Sequence, residues 1–173
     1  MNTAKSSIIP ALAMALLAML CSAPSFAQGK PTAANKSIVG VWVMESMQFE
    51  GENKIVCGKG TGYSQVKYYG KDGEYACAQI AKSGNNYVVL PHEYGTYTYK
   101  DGVYTEMGRK PSSLSLSKDG KHFYGQWFNR HDAWVRRTDI PKELIDFIIL
   151  QCKLSQPPSP KIQAQIKQSF FAN

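Results

Sequence analysis

From Ile38 onward, apolar and polar residues alternate in short runs, each ending in a cluster rich in glycine, asparagine, aspartate or lysine. Period-two alternation puts successive side chains on opposite faces of a strand. The pattern predicts a long first strand, Ile38 to Phe49, turned by Glu50-Gly51-Glu52-Asn53. After the flexible Cys57 to Gly62 stretch come Tyr63 to Tyr69 and Glu74 to Ala81, joined across Lys71-Asp72-Gly73, and then Tyr87 to Leu90. Gly95 to Lys100 and Val103 to Met107 flank Asp101-Gly102, a dipeptide suited to a tight hairpin. Ser112 to Ser117 and His122 to Phe128 flank Lys118-Asp119-Gly120, and Asp132 to Arg137 is the last strand. About eight short strands with tight connections make an antiparallel meander rather than parallel units. The expected fold class is all-β, an up-and-down barrel followed by a helix.

That helix follows Asp139, an expected N-cap, with Pro141 in its first turn and Glu143 favouring the helix dipole. Leu144, Ile145, Phe147, Ile148, Ile149 and Cys152 form an apolar stripe broad enough to lie deeply against a barrel wall. Gln156-Pro157-Pro158-Ser159-Pro160 ends it, and residues 155–173 read as a proline-rich linker with a weakly helical tail.

The N-terminus follows a different pattern. Lys5 precedes an apolar run from Ile8 to Leu20, and Ser25-Phe26-Ala27 offers the small residues a signal peptidase reads. The run is too short for a membrane span, which needs about 20 residues. Residues 1–27 therefore read as a signal peptide, residues 28–37 as a flexible leader, and residues 38–154 as the barrel with its helix. Cys21 follows Leu20 rather than a small residue, which disfavours a lipoprotein anchor. Export to the periplasm or beyond is the expectation.

Charge and cysteines narrow the classes of function. The formal net charge is +7, from 20 Lys+Arg against 13 Asp+Glu. The basic residues are scattered, and an exported chain is not expected to meet nucleic acid. Beyond Cys21 there are Cys57, Cys77 and Cys152, an odd number that permits one disulfide with one thiol left over. No C-x-x-C spacing occurs, so neither a metal site nor a cofactor is expected. His92-Glu93 lacks a histidine four residues on, where Thr96 stands, and Gly58 to Gly62 lacks the order of a phosphate loop. Glu93 and Glu106 are a formal carboxylate pair of unknown separation; no enzyme is expected.

Gly40-Val41-Trp42 on the first strand, a string of antiparallel hairpins, an arginine on the last strand and a following helix resemble the lipocalin-like (calycin) proteins, in particular their short secreted bacterial branch of domains of unknown function. The resemblance covers roughly residues 38–154. It implies that Trp42 packs across one barrel end beneath an arginine, Arg136 or alternatively Arg137, with Gly40, Trp42 and Arg136 as structural residues. The chain lacks the second lipocalin motif, Thr-Asp-Tyr, and the helical lid of fatty-acid-binding proteins. The resemblance implies a small apolar ligand in a barrel interior, without catalysis.

The expected lining, chosen by alternation, is Tyr68, Ala76, Ala78, Ile80, Tyr97, Tyr99, Leu114 and Leu116, and a slip of one residue would turn that list inside out. A small barrel is either hollow or filled by its own side chains. A hollow one binds a partly apolar ligand such as a lipid or hydrophobic metabolite. A filled one would instead contact a protein or glycan through loops and exposed aromatics.

Overall fold

A computed structural model describes residues 37–58, 60–107 and 111–172. The segment read as a signal peptide, Cys21 and nearly all of the leader lie outside the described residues. The strands are β1 (Gly40–Phe49), β2 (Ile55–Val56), β3 (Tyr63–Tyr69), β4 (Glu74–Ser83), β5 (Asn86–Lys100), β6 (Val103–Glu106), β7 (Ser112–Leu116), β8 (His122–Trp127) and β9 (Arg130–Arg137). Each pairs antiparallel with its neighbour in the order β1-β3-β4-β5-β6-β7-β8-β9, and β9 returns to β1, closing an eight-stranded barrel. β2 lies outside it, beside Ser46 and Met47 of β1.

The predicted break between Tyr87–Leu90 and Gly95–Lys100 does not occur. β5 runs through both, pairing first with β4 and then with β6. Its irregularity is a bulge, where Cys77 faces Glu93 but Ala78 faces Pro91. Proline cannot donate to a ladder, and a bulge tolerates it without ending the strand. By contrast, the β6–β7 ladder has two pairs among the described residues, Val103 with Ser113 and Tyr104 with Ser112.

Two apolar clusters occupy opposite faces of the wall. Inside are Trp42, Met44, Tyr69, Tyr75, Cys77, Tyr104, Leu114, Phe123 and Trp134, with Tyr97, Tyr99 and Leu116 packed against them. Outside, Val41, Val43, Val66, Ala78, Ile80 and Val89 meet Leu144, Ile148, Ile162, Ile166 and Phe170. This corrects half of the expected lining. Tyr68, Ala78 and Ile80 belong to the outer cluster, and Ala76, paired with Tyr68, shares that face. The physical reason is that helices pack against the outside of this wall, so β3 and β4 are buried on both sides and their more aliphatic set points outward.

The helices are α1 (Lys142–Lys153) and α2 (Pro160–Ile166), followed by a π-helical turn at Lys167–Phe171. Asp139 does not cap α1; it accepts two hydrogen bonds from Arg137, at 2.6 and 2.7 Å. Pro141 occupies the cap position with no side-chain bond. Ser159 caps α2 through the Ile162 amide, and Pro160 opens it where a missing N–H costs nothing. No helix among the described residues is long and apolar enough to cross a membrane.

The registers set Gly40, Tyr69 and Arg137 at one barrel end and Phe49 and Arg130 at the other. The first end is plugged. Trp42 is fully buried, donates Nε1–H to the Ile38 carbonyl at 2.7 Å and lies 4.7 Å from the Phe123 ring. The Arg136 guanidinium sits 4.2 Å from the Trp42 ring centre and donates to the carbonyls of Gly120, Val39 and Ser37. Gly40 has φ +135°, and a Cβ there would stand 2.8 Å from Arg136 Nη1. Glycine at this position thus admits the guanidinium.

All three described cysteines are free thiols. Gln65 donates to the Cys77 sulfur at 3.3 Å inside the barrel, whereas Cys152 on α1 reaches the Cys77 backbone carbonyl, 3.4 Å away, from outside. The wall separates the two side chains.

Two outcomes follow. Trp42→Ala should cost about 3–5 kcal/mol in urea unfolding, the range for a large buried ring. Arg136→Ala should cost less and be non-additive with it; a loss well under 1 kcal/mol for Trp42→Ala would contradict closure by this pair. Alkylation mapped by mass spectrometry after denaturation without reductant should label Cys57, Cys77 and Cys152 alike, and a disulfide between Cys77 and Cys152 would contradict the wall between them.

Candidate ligand cavity

Towards the second end, the interior side chains stop filling the barrel and leave a cavity of about 1060 Å³. Phe49 of β1, Tyr63, Gln65 and Lys67 of β3, and Tyr75 and Cys77 of β4 line one side. His92 and Glu93 at the β5 bulge, Tyr104 and Glu106 of β6, and Ser112 and Ser113 of β7 continue around it. Gln126 to Arg130, at the β8–β9 turn, complete the rim with Pro111.

Lys67 governs the electrostatics. It points inward from β3 and its side chain is only 7% exposed. The ammonium lies 4.6 Å from the Trp127 ring centre, 5.2 Å from Trp134 and 5.4 Å from Tyr75, with Glu106 Oε1 3.5 Å away. Burial alone would depress its pKa. The negative potential of the Tyr69 oxygen, the Glu106 carboxylate, the Cys77 sulfur and Asp132 outweighs that and holds it above the ordinary lysine value. Glu106 also accepts the Tyr104 hydroxyl at 2.8 Å, and Glu93 accepts the Tyr75 hydroxyl at 2.9 Å. At the mouth Arg130 pairs with the buried Asp132 at 2.8 Å.

Glycine decides where the Trp127 indole lies. A Cβ on Gly125 would stand 3.0 Å from Trp127 Nε1 and 3.3 Å from Cε2. The bare backbone lets the ring fold over β8 toward Lys67. The next residue, Phe128, has φ +53° and is 99% exposed at the tip of the turn. The turn is therefore Phe128-Asn129, and β9 begins at Arg130.

Of the residues expected to line the interior, Tyr97, Tyr99, Leu114 and Leu116 do share the inner cluster, but none lines the cavity. Tyr97 instead donates its hydroxyl to the Gly70 carbonyl at 2.8 Å, and its ring stands 4.9 Å from Tyr69. Alternation could locate a face but not the depth at which it stops being filled. Lys67 carries no such signal in the sequence, because a lysine in a strand ordinarily faces water, and its inward direction depends on the register. Glu93 and Glu106, visible as a pair, do border one cavity.

Comparison with family models and with curated proteins finds no match for this chain. Among the described residues no group of three or more His, Cys, Asp and Glu side chains is arranged to hold a metal ion.

The interior phenols give a pH signature. Burial first, then neighbouring acidic groups, raises Tyr75 and Tyr104 far above their ordinary 10.0; burial likewise raises Tyr69, and pushes Cys77 from 9.0 up to about 11. For an acid with a raised folded pKa, the native state keeps a proton that the unfolded chain loses. Stability should therefore be level below about pH 9 and fall above it, by about 1.4 kcal/mol per pH unit for each group ionised only when unfolded. Tyrosinate absorbance should rise for the exposed tyrosines first, with the buried set appearing together with loss of near-ultraviolet dichroism. Full tyrosine ionisation in a still-folded protein would contradict the buried network.

Proposed function

We propose that this protein is an exported, non-catalytic binding protein of lipocalin-like type, holding a small, partly apolar ligand within the barrel. The cavity is the observation that carries the reading: one barrel end is plugged by Trp42 and Arg136, and the other leaves about 1060 Å³ among rings and polar groups. Its size lies at the upper end of small-molecule sites, about 300–1,000 Å³. Signal-like residues at the N-terminus support export. The chemistry of the interior favours binding over catalysis. Lys67 is held protonated against Glu106 and is a poor nucleophile, and burial raises the Cys77 thiol to about 11.

A second reading, contact with a protein or glycan through the loops, draws on Phe128, a fully exposed ring in a backbone conformation that bulky residues rarely adopt.

Protein prepared without detergent should retain a bound mass in native mass spectrometry or take up one equivalent of the neutral dye Nile red. Ser112→Phe, which adds bulk on the lining, should weaken dye binding by about tenfold. Ser115→Phe, on the opposite face of β7, should leave it unchanged. No bound mass and no dye uptake, or equal sensitivity to both substitutions, would defeat the cavity reading and favour the surface one.

A further inference from the structure

The walls of the cavity are chemically selective, and the inference here rests on the proposed binding function. Apart from Pro111, no described lining residue is aliphatic: there is no valine, leucine, isoleucine, methionine or alanine. The accessible apolar surface comes instead from Phe49, Tyr63, Trp127 and, at the rim, Phe128, with the fully buried Tyr75 and Tyr104 packed behind them. The barrel does own aliphatic side chains, but Leu114, Leu116 and Met44 are packed into the inner cluster away from the lining. A pocket for an acyl chain surrounds a flexible rod with flexible alkyl groups. This one offers flat ring faces instead.

Between the rings stand hydrogen-bond donors and acceptors, of which the carboxylates only accept. Gln65, Gln126 and Asn129 contribute amides, Ser112 and Ser113 hydroxyls, and Glu93 and Glu106 carboxylates. Among the described lining residues the lysine and the arginine are already matched. Lys67 faces Glu106 and Arg130 faces Asp132, so neither cation is left to balance a carboxylate or phosphate head. Adding an anion beside Glu93 and Glu106 would meet like charge in a poorly solvated site. Adding a cation would compete with Lys67 for the Tyr75, Trp127 and Trp134 rings it already faces.

We infer that the ligand is a neutral saccharide, more than one sugar ring long. Sugars present flat C–H faces that lie on aromatic rings and hydroxyl edges that give and take hydrogen bonds, the two kinds of surface this lining alternates. A planar heterocycle would use the rings but keeps its polar atoms in one plane, whereas amides, hydroxyls and carboxylates here come from strands around the whole cavity. The volume of about 1060 Å³ accommodates a short oligosaccharide.

The test is an array of neutral oligosaccharides, followed by calorimetry on the best binder with octanoate and Nile red as comparison probes. A neutral oligosaccharide should bind and octanoate should not. Gln126→Ala and Asn129→Ala, both at exposed rim positions where folding is not at stake, should each weaken the saccharide by about fivefold. Ser112→Phe should abolish its binding. If octanoate or Nile red binds and no neutral glycan does, the saccharide inference falls while the cavity reading stands. Glycan binding indifferent to all three substitutions would place it outside the cavity and overturn the inference. No binding of any probe overturns both.

Discussion

Everything in this fold depends on β1 being held on both sides. Val41, Trp42 and Val43 pair with β3 on one edge and with β9 on the other, so the first strand described is also the closure of the barrel. Trp42 fixes that closure from within, with Arg136 laid against its ring and bonded to the carbonyls of the chain that enters β1. A barrel closed in this way has no bare inner sheet edge, and only the short β2 lies beside the wall. With one end sealed by an indole and a guanidinium, any space left inside must open at the opposite end.

Closure also explains why the interior is more polar than the wall. Aliphatic residues of β1, β3 and β4 are satisfied outside, under α1 and α2, where Ile80, Leu144 and Ile166 are fully buried. The inside can then carry Lys67, Glu106 and Asp132, each buried but matched, because the hydrophobic stabilisation of this wall does not depend on them. Breaking one member of such a pair is costly, about 3–5 kcal/mol, even though the intact pair adds little over an apolar replacement. The polar interior is therefore hard to lose by single substitutions, whatever it adds to stability.

The strands and turns were legible because local chemistry determines them. Asp101-Gly102 takes positive φ at both residues, as a tight hairpin requires, and Gly73 and Gly120 do so in the turns read from Lys71-Asp72-Gly73 and Lys118-Asp119-Gly120. The bracket of Trp42 and Arg136 was also readable, and Arg136 rather than Arg137 proves to be the partner. Facing was not readable for β3 and β4. Val66, Tyr68, Ala76, Ala78 and Ile80 look like a core face, and they are one, but it is the core beneath the helices. Two-sided burial erases the alternation that tells inside from outside. The cavity was less legible still. Its position depends on where Gly125 lets Trp127 fold and on where a bulge places Glu93, and neither leaves a periodic trace in the chain.

Among the described residues, the pairing between β6 and β7 is the shortest in the barrel wall. Helices brace β4 and β5, and long ladders tie β1 to β9 and β8 to β9, whereas two pairs of described residues join β6 to β7. That seam borders the cavity directly, since Tyr104, Ser112 and Ser113 all line it. Local opening follows the fewest backbone bonds and the least buried apolar contact. The wall is thus most firmly tied along its helix-covered back and least tied, among the described residues, where it borders the cavity, at a place remote from the Trp42 plug.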